Sequence, residues 1–190
     1  VTFGNGTGDT TTFTGGVTAT APSQVNLAGT IQTTNTLMSL GDAGTPVVLT
    51  ANTILSGNTA GAITLGGTVN GAYSLTANTT GTTTLSGDIG GNTALTTLTT
   101  NTGGTTVISV DIETSSTQTY NDAVTINGTL DFTGSTVQFA NTLAGDDGTG
   151  DNLTISGALD LDGAATSLTS LTVEGTSNLG ADVTTSSTQT

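Results

Sequence analysis

The hexapeptide TSSTQT occurs at Thr114 to Thr119 and again at Thr185 to Thr190, 71 residues further on. GTGD recurs at Gly6 to Asp9 and at Gly148 to Asp151, an offset of 142, twice the first interval. A looser phase joins these anchors. TTTFTGGV, ending at Val17, aligns with TTTLSGDI, ending at Ile89, and less closely with NLTISGAL, ending at Leu159. Phe13, Leu85 and Ile155 then share one position, and TALTTLTT at Thr93 to Thr100 matches TSLTSLTV at Thr166 to Val173. Two unrelated anchors agreeing on one period define a repeat, which directs the chain toward stacked or solenoidal architectures. The approximate units are 1-17 (partial), 18-89, 90-159 and 160-190 (partial), together one solenoid segment of a longer array. The stretch Ile31 to Val48 enters this register only with insertions or deletions. The second TSSTQT breaks off where the first continues into Tyr120, so further copies are expected to follow.

Within each unit the hydrophobic pattern has period two, in short bursts. Ile108, Val110 and Ile112 alternate with Ser109, Asp111 and Glu113; Val124 and Ile126 flank Thr125. Leu130 with Phe132, Val137 with Phe139, Leu153 with Ile155 and Leu159 with Leu161 continue the pattern. Such bursts are half-buried strands, and threonine, 50 of 190 residues, suits extended backbone through its branched β-carbon. Asn5-Gly6, Asn70-Gly71, Gly90-Gly91, Gly103-Gly104 and Asn127-Gly128 separate the bursts and mark sharp corners, because both residue types tolerate positive φ. No apolar stripe of helical period survives these interruptions, so the chain is expected to be all-β with no significant helix.

A 71-residue unit divides into three coils of about 24 residues, which predicts a parallel β-solenoid (β-helix) of about eight coils. At the spacing of paired strands, that is a rod roughly 38 Å long. A sandwich or barrel also accommodates the strand spacing but does not call for the repeat. The thin apolar supply favours the solenoid. Leu, Ile, Val and Phe total 42 residues, enough for a narrow column needing only a few inward side chains per coil. Charge density is too low, and Pro and Glu too few, for the composition of a disordered chain.

What is missing excludes much chemistry. The chain has no Lys, Arg, His, Cys or Trp and a net charge of −14. Nothing can neutralise phosphates, which excludes nucleic acid as a partner, and polybasic docking on anionic lipid falls with it. Cysteine nucleophiles, a Ser-His-Asp triad, and zinc held by nitrogen or sulfur are impossible. Schiff-base and P-loop chemistry lack their lysine. No apolar stretch approaches the ~18 residues of a membrane span, so membrane insertion is not expected.

The segment GGTVNGAYSLTANTTGTTTLSGDIGGNTALTTLTTNTGGTTVIS, followed by TSSTQTYNDAVTI, resembles repeats of very large bacterial surface proteins. These are the filamentous-haemagglutinin-like and autotransporter-like adhesins. The resemblance covers most of the chain from about Gly66 and, more loosely, the N-terminal third. It implies a right-handed parallel β-helix at the bacterial cell surface, serving as a filament, stalk or adhesin shaft without catalytic residues. Partners would be neighbouring repeats or further copies, packed end to end or side by side, with a host or cell-surface ligand of unknown identity possible. The secretion domain usual at the N-terminus of that family is not found in this sequence.

Few residues offer chemistry. Asp146, Asp147 and Asp151, in GDDGTGDN, form the densest acidic cluster, and hard oxygen ligands in a Gly-rich loop suit calcium. The repeated calcium pattern of β-rolls is not matched, since Gly150 directly precedes Asp151, and a solvated turn accounts for the same residues. Asp160 and Asp162 alternate with Leu159 and Leu161, placing two carboxylates on one outer face. Paired carboxylates hydrolyse glycosides, but β-helical polyuronate-degrading enzymes also use basic residues, and an anionic substrate would be repelled here. The expectation is no enzymatic activity. Thr-x-Thr pairs at Thr18/Thr20, Thr97/Thr99, Thr117/Thr119 and Thr188/Thr190 invite comparison with ice-binding ranks, although such pairs are frequent by composition. Sequons at Asn5, Asn78, Asn127 and Asn152 follow from composition too, and Tyr73 and Tyr120 read as strand residues at coil edges.

Overall fold

The computed structural model describes all 190 residues, and they form twenty-two strands and no helix. Every strand-to-strand pairing between them is parallel, and the strands belong to two sheets of thirteen and nine. Parallel neighbours 17 to 25 residues apart demand that the chain circle back after each pairing. The result is a β-solenoid. Its third face is the nine-stranded sheet, running from Val17–Ala19 to Val183–Thr185. Nine rungs on that face enclose eight turns.

The thirteen-stranded sheet supplies the other two faces, because its long strands bend across a corner. Val25–Thr33 pairs with Thr2–Phe3 along its first half and with Thr10–Phe13 along its second. Thr129–Phe139 likewise takes Ile112–Glu113 and then Thr117–Tyr120 as partners. Asn152–Leu161 does the same with Ser170–Val173 and Ser177–Leu179. Each turn therefore visits a first, a second and a third face in order. At the bend between the first two faces the rungs approach closely. A β-carbon on Gly157 would lie 1.9 Å from the Gly134 carbonyl oxygen, and one on Gly175 would lie 2.4 Å from that of Gly157. Only glycine fits such a column.

Coil length differs from the sequence expectation. One turn takes 21 residues between Val17 and Met38, 25 between Met38 and Ile63, and 18 between Thr106 and Val124. The uniform 24-residue coil is thus corrected, and the 71-residue interval is not a whole number of turns. Phe13 lies on the second face, Leu85 on the third and Ile155 on the first. The two copies of TSSTQT and of GTGD also occupy different corners. Sequence-equivalent segments lie three or six turns apart plus one or two faces.

The core is a single column of 35 buried residues along the axis. On the third face one inner row runs Ala19, Leu40, Leu65, Leu85, Ile108 and Ile126 on successive rungs. Its outer row runs Thr18, Ser39, Thr64, Thr84, Val107, Thr125, Ala144 and Thr166. No strand of that face contains an acidic residue. Tyr120 ends the strand Thr117–Tyr120 fully buried, its ring stacked on Phe139 at 5.1 Å. Tyr73 departs from the expectation. It precedes the strand Ser74–Asn78, exposed at a corner.

Corners are bonded from rung to rung by side chains as well as by backbone. The Asn35 carbonyl Oδ1 accepts the Thr59 and Ala60 N–H groups, each at 2.9 Å, and Asn70 accepts those of Asn92 and Thr93 at the same distance. Threonine hydroxyls donate in the opposite sense, as from Thr80 to the Thr59 carbonyl at 2.6 Å and Thr45 to the Thr20 carbonyl at 2.7 Å. Corner backbone that a globular fold would leave to water is satisfied by the coil beneath it.

Candidate functional site

Asp146, Asp147 and Asp151 all lie on the corner that carries the chain from the third face to the first. Here six residues separate Leu143–Gly145 from Asn152–Leu161, where the coil before uses only Asn127-Gly128 and the coil after only Thr169. The extra residues form a loop closed on itself. Asp147 Oδ1 accepts both the backbone N–H and the hydroxyl of Thr149, at 2.8 and 2.7 Å. Those bonds hold the exposed Asp147 carboxyl below its ordinary range. Thr169 Oγ accepts the Gly150 N–H at 2.8 Å, and Asn127 Nδ2 donates to Asp146 Oδ2. The fold brings the three acids together: one carboxylate oxygen from each lies within 4.8 Å of the others.

The members differ in exposure. Asp146 and Asp147 are exposed, whereas Asp151 is 1% exposed. Asp151 Oδ1 accepts the Gly128 N–H at 2.9 Å, while its Oδ2 is buried without a partner. A second buried acid provides the contrast. Asp122, at the corner between the second and third faces, accepts the Gly104 N–H at 2.8 Å on Oδ1 and the Thr106 hydroxyl at 3.3 Å on Oδ2. Both its oxygens are engaged.

Burial raises the Asp122 carboxyl above its ordinary range, and the bonds from Gly104 and Thr106 only partly offset this. A folded pKa above the unfolded one contributes stability that is fully present below the unfolded value and lost as pH rises through the folded value. Asp122→Asn keeps an acceptor for Gly104 and removes the titration. Wild type should therefore gain stability relative to this variant as pH falls from neutral toward about 4. Urea midpoints for both proteins across that range measure the effect; a difference independent of pH would contradict it.

Asp160 and Asp162 stand side by side at the outer surface, as their spacing predicts. Amides rather than cations surround them. Gln138 Nε2 donates to Asp160 Oδ2 at 3.2 Å and to Asp162 Oδ2 at 3.4 Å, and Asn178 Nδ2 donates to Asp160 Oδ1 at 2.8 Å. Of the Thr-x-Thr pairs, only Thr97/Thr99 and Thr117/Thr119 stack on adjacent rungs of one face. The pair Thr18/Thr20 belongs to the third face and Thr188/Thr190 to the first, so no four-membered rank forms.

A further acidic site was missed in the sequence. Asp88, Asp111, Glu113 and Asp131 line a groove of about 200 Å³ on the first face. The register Ile89↔Ile112↔Phe132 stacks their rungs, and the Asp131 N–H donates to Asp111 Oδ1 at 2.9 Å. The signal was available: Asp88-Ile89, Asp111-Ile112 and Asp131-Phe132 repeat an acid before an inward residue once per coil.

The class of protein is set by these observations: the chain is a parallel β-solenoid built from structural repeats, and no helix is long and apolar enough to cross a membrane. No protein-family model, curated protein or solved structure matches it.

Proposed function

We propose that the chain is a shaft segment of an extracellular bacterial surface protein, working as a rigid filament, stalk or adhesin shaft and not as an enzyme. The observation that carries this reading is the uninterrupted core column, which joins all eight turns into one body without a hinge. Stiffness comes from stacking: each rung is bonded to the next by backbone ladders on three faces and by Asn and Thr side chains at the corners. A strand face free of carboxylates, on a chain of −14, allows neighbours to pack laterally without repulsion. The end rungs suit axial contacts. Leu171, Val173, Leu179 and Val183 border an apolar cavity of about 220 Å³ at one end, and Phe3 packs on Phe13 near the other. Open parallel edges of this kind pair readily with further coils.

Resistance to a broad-specificity protease tests the shaft, because proteolysis reads local opening. Proteinase K acting on the native chain should spare the three faces and cut first in the loop between Gly145 and Gly150. Rapid digestion throughout would overturn the reading. Solution scattering checks the packing: the expected species are rods that lengthen or thicken with concentration, and a compact monomer at all concentrations contradicts lateral or axial association.

A further inference from the structure

We propose that the corner around Gly145 is a calcium site, with Asp151 as its buried ligand and Asp146 and Asp147 closing it from the solvent side. Along the inner row of the third face every rung from Ala19 to Ile126 presents an apolar side chain, and the next rung presents Gly145. The space its side chain would fill holds oxygen instead. A β-carbon on Gly145 would lie 2.6 Å from Asp151 Oδ2 and 2.2 Å from the Ser167 carbonyl oxygen. Ser167 adopts a positive φ of 57° at the point where the register of its strand shifts. A strained backbone thus sets a neutral oxygen beside a buried carboxylate.

Asp151 Oδ2 has no hydrogen-bond donor, although the same carboxylate takes the Gly128 N–H on its other oxygen. Asp122 shows what the fold does with a buried carboxylate that needs no ligand: both oxygens receive donors. A buried carboxylate oxygen without a donor is costly unless a cation faces it. Two more carboxylates lie close by, and one oxygen from each of the three acids falls within 4.8 Å of the others. Hydrogen bonds engage Asp146 Oδ2 and Asp147 Oδ1, and the other oxygen of each carboxylate accepts none.

The donor set selects the ion. All donors are hard oxygens, carboxylate and carbonyl together, and the chain has no His or Cys, which disfavours zinc and copper. The loop turns at Gly148 and Gly150, at φ of 76° and 78°, and an irregular corner of this kind suits the variable geometry of calcium better than the strict octahedron of magnesium. Affinity is expected in the loose range of extracellular modules, a dissociation constant of roughly 10⁻⁴–10⁻³ M.

Calorimetric titration of the whole chain with CaCl₂, against MgCl₂ at matched ionic strength, tests the site. One saturable calcium site is expected, with magnesium at least about tenfold weaker. Asp151→Asn, which keeps the acceptor for Gly128, should abolish saturable binding. Asp147→Asn, at an exposed position where folding is not in question, should weaken it about tenfold, and circular dichroism reports whether each variant is folded. If Asp151→Asn fails to fold, Asp147→Asn decides alone. Absence of saturable heat, equal binding of magnesium, or unchanged affinity in a folded variant would each overturn the proposal. None of these outcomes bears on the shaft reading, which the protease experiment decides separately.

Discussion

Replacing Phe139 with alanine is expected to destabilise the chain by about 3–5 kcal/mol, the range for truncating a fully buried aromatic ring. Phe139 is 0% exposed, stacks on Tyr120 at 5.1 Å and 15°, and faces Phe132 at 6.4 Å. The three rings are the only aromatic side chains among the buried residues of the column. Their neighbours are held by parallel ladders above and below, so the structure has little freedom to collapse into the space left. Urea denaturation followed by circular dichroism measures the loss. Stability in a stacked chain is close to a sum of coil and interface contributions, so a weakened rung can also split one transition into two. A loss below about 1 kcal/mol would mean that the aromatic cluster does not anchor the column.

The second large effect concerns the polar group buried beside those rings. Gln118 Nε2 donates to the Thr133 carbonyl at 2.9 Å and the Ile112 carbonyl at 3.2 Å, and its Oε1 accepts the Tyr120 hydroxyl at 2.9 Å. Gln118 thus ties the first face to the second through the core. Gln118→Met keeps the volume but strands the Tyr120 hydroxyl and removes two bonds to first-face carbonyls, of which Thr133 keeps the Thr114 N–H at 2.8 Å; a loss of about 2–4 kcal/mol is expected from the stranded hydroxyl and the two lost bonds. Adding Tyr120→Phe removes the stranded hydroxyl. The double variant should therefore recover about 1–2 kcal/mol relative to the sum of the single changes. Strict additivity in a double-mutant cycle would show that the two side chains do not depend on each other. The Tyr120 hydroxyl itself stays protonated, since complete burial pushes it well above its ordinary range.

Much of this fold is legible in the sequence, and the exceptions have physical causes. Bursts such as Val124/Ile126 and Leu153/Ile155 became strands because alternation records one buried face directly. Alternation does not record a corner. Ile108, Val110 and Ile112 form one burst in the sequence, yet Ile108 ends a third-face strand and Ile112 starts a first-face strand. Leu130 to Phe139 reads as two bursts and is one strand bent at Gly134. Register was hidden for a related reason. Inner positions accept Leu, Ile, Val, Ala or Thr almost interchangeably, as Ile63, Thr83, Thr106 and Val124 do on consecutive rungs, so coils leave little sequence identity behind. The acidic corner was legible as a cluster but not as a site with an inside. Asp151 looks like Asp146 and Asp147 in the sequence; only the missing side chain of Gly145 on the preceding rung draws it into the core.

The 71-residue interval has a geometric consequence of its own. Because it ends one or two faces short of a full revolution, copies of one sequence pattern point to different sides of the rod: GTGD lies between the first and second faces at Gly6 to Asp9, and between the third and first at Gly148 to Asp151. A fibre assembled from units in this phase would carry its surface marks like the thread of a screw. Only the third face, whose strands carry no acid, would keep one character along the whole length. A neighbour on any side of such a fibre would meet the same sequence pattern within a few turns.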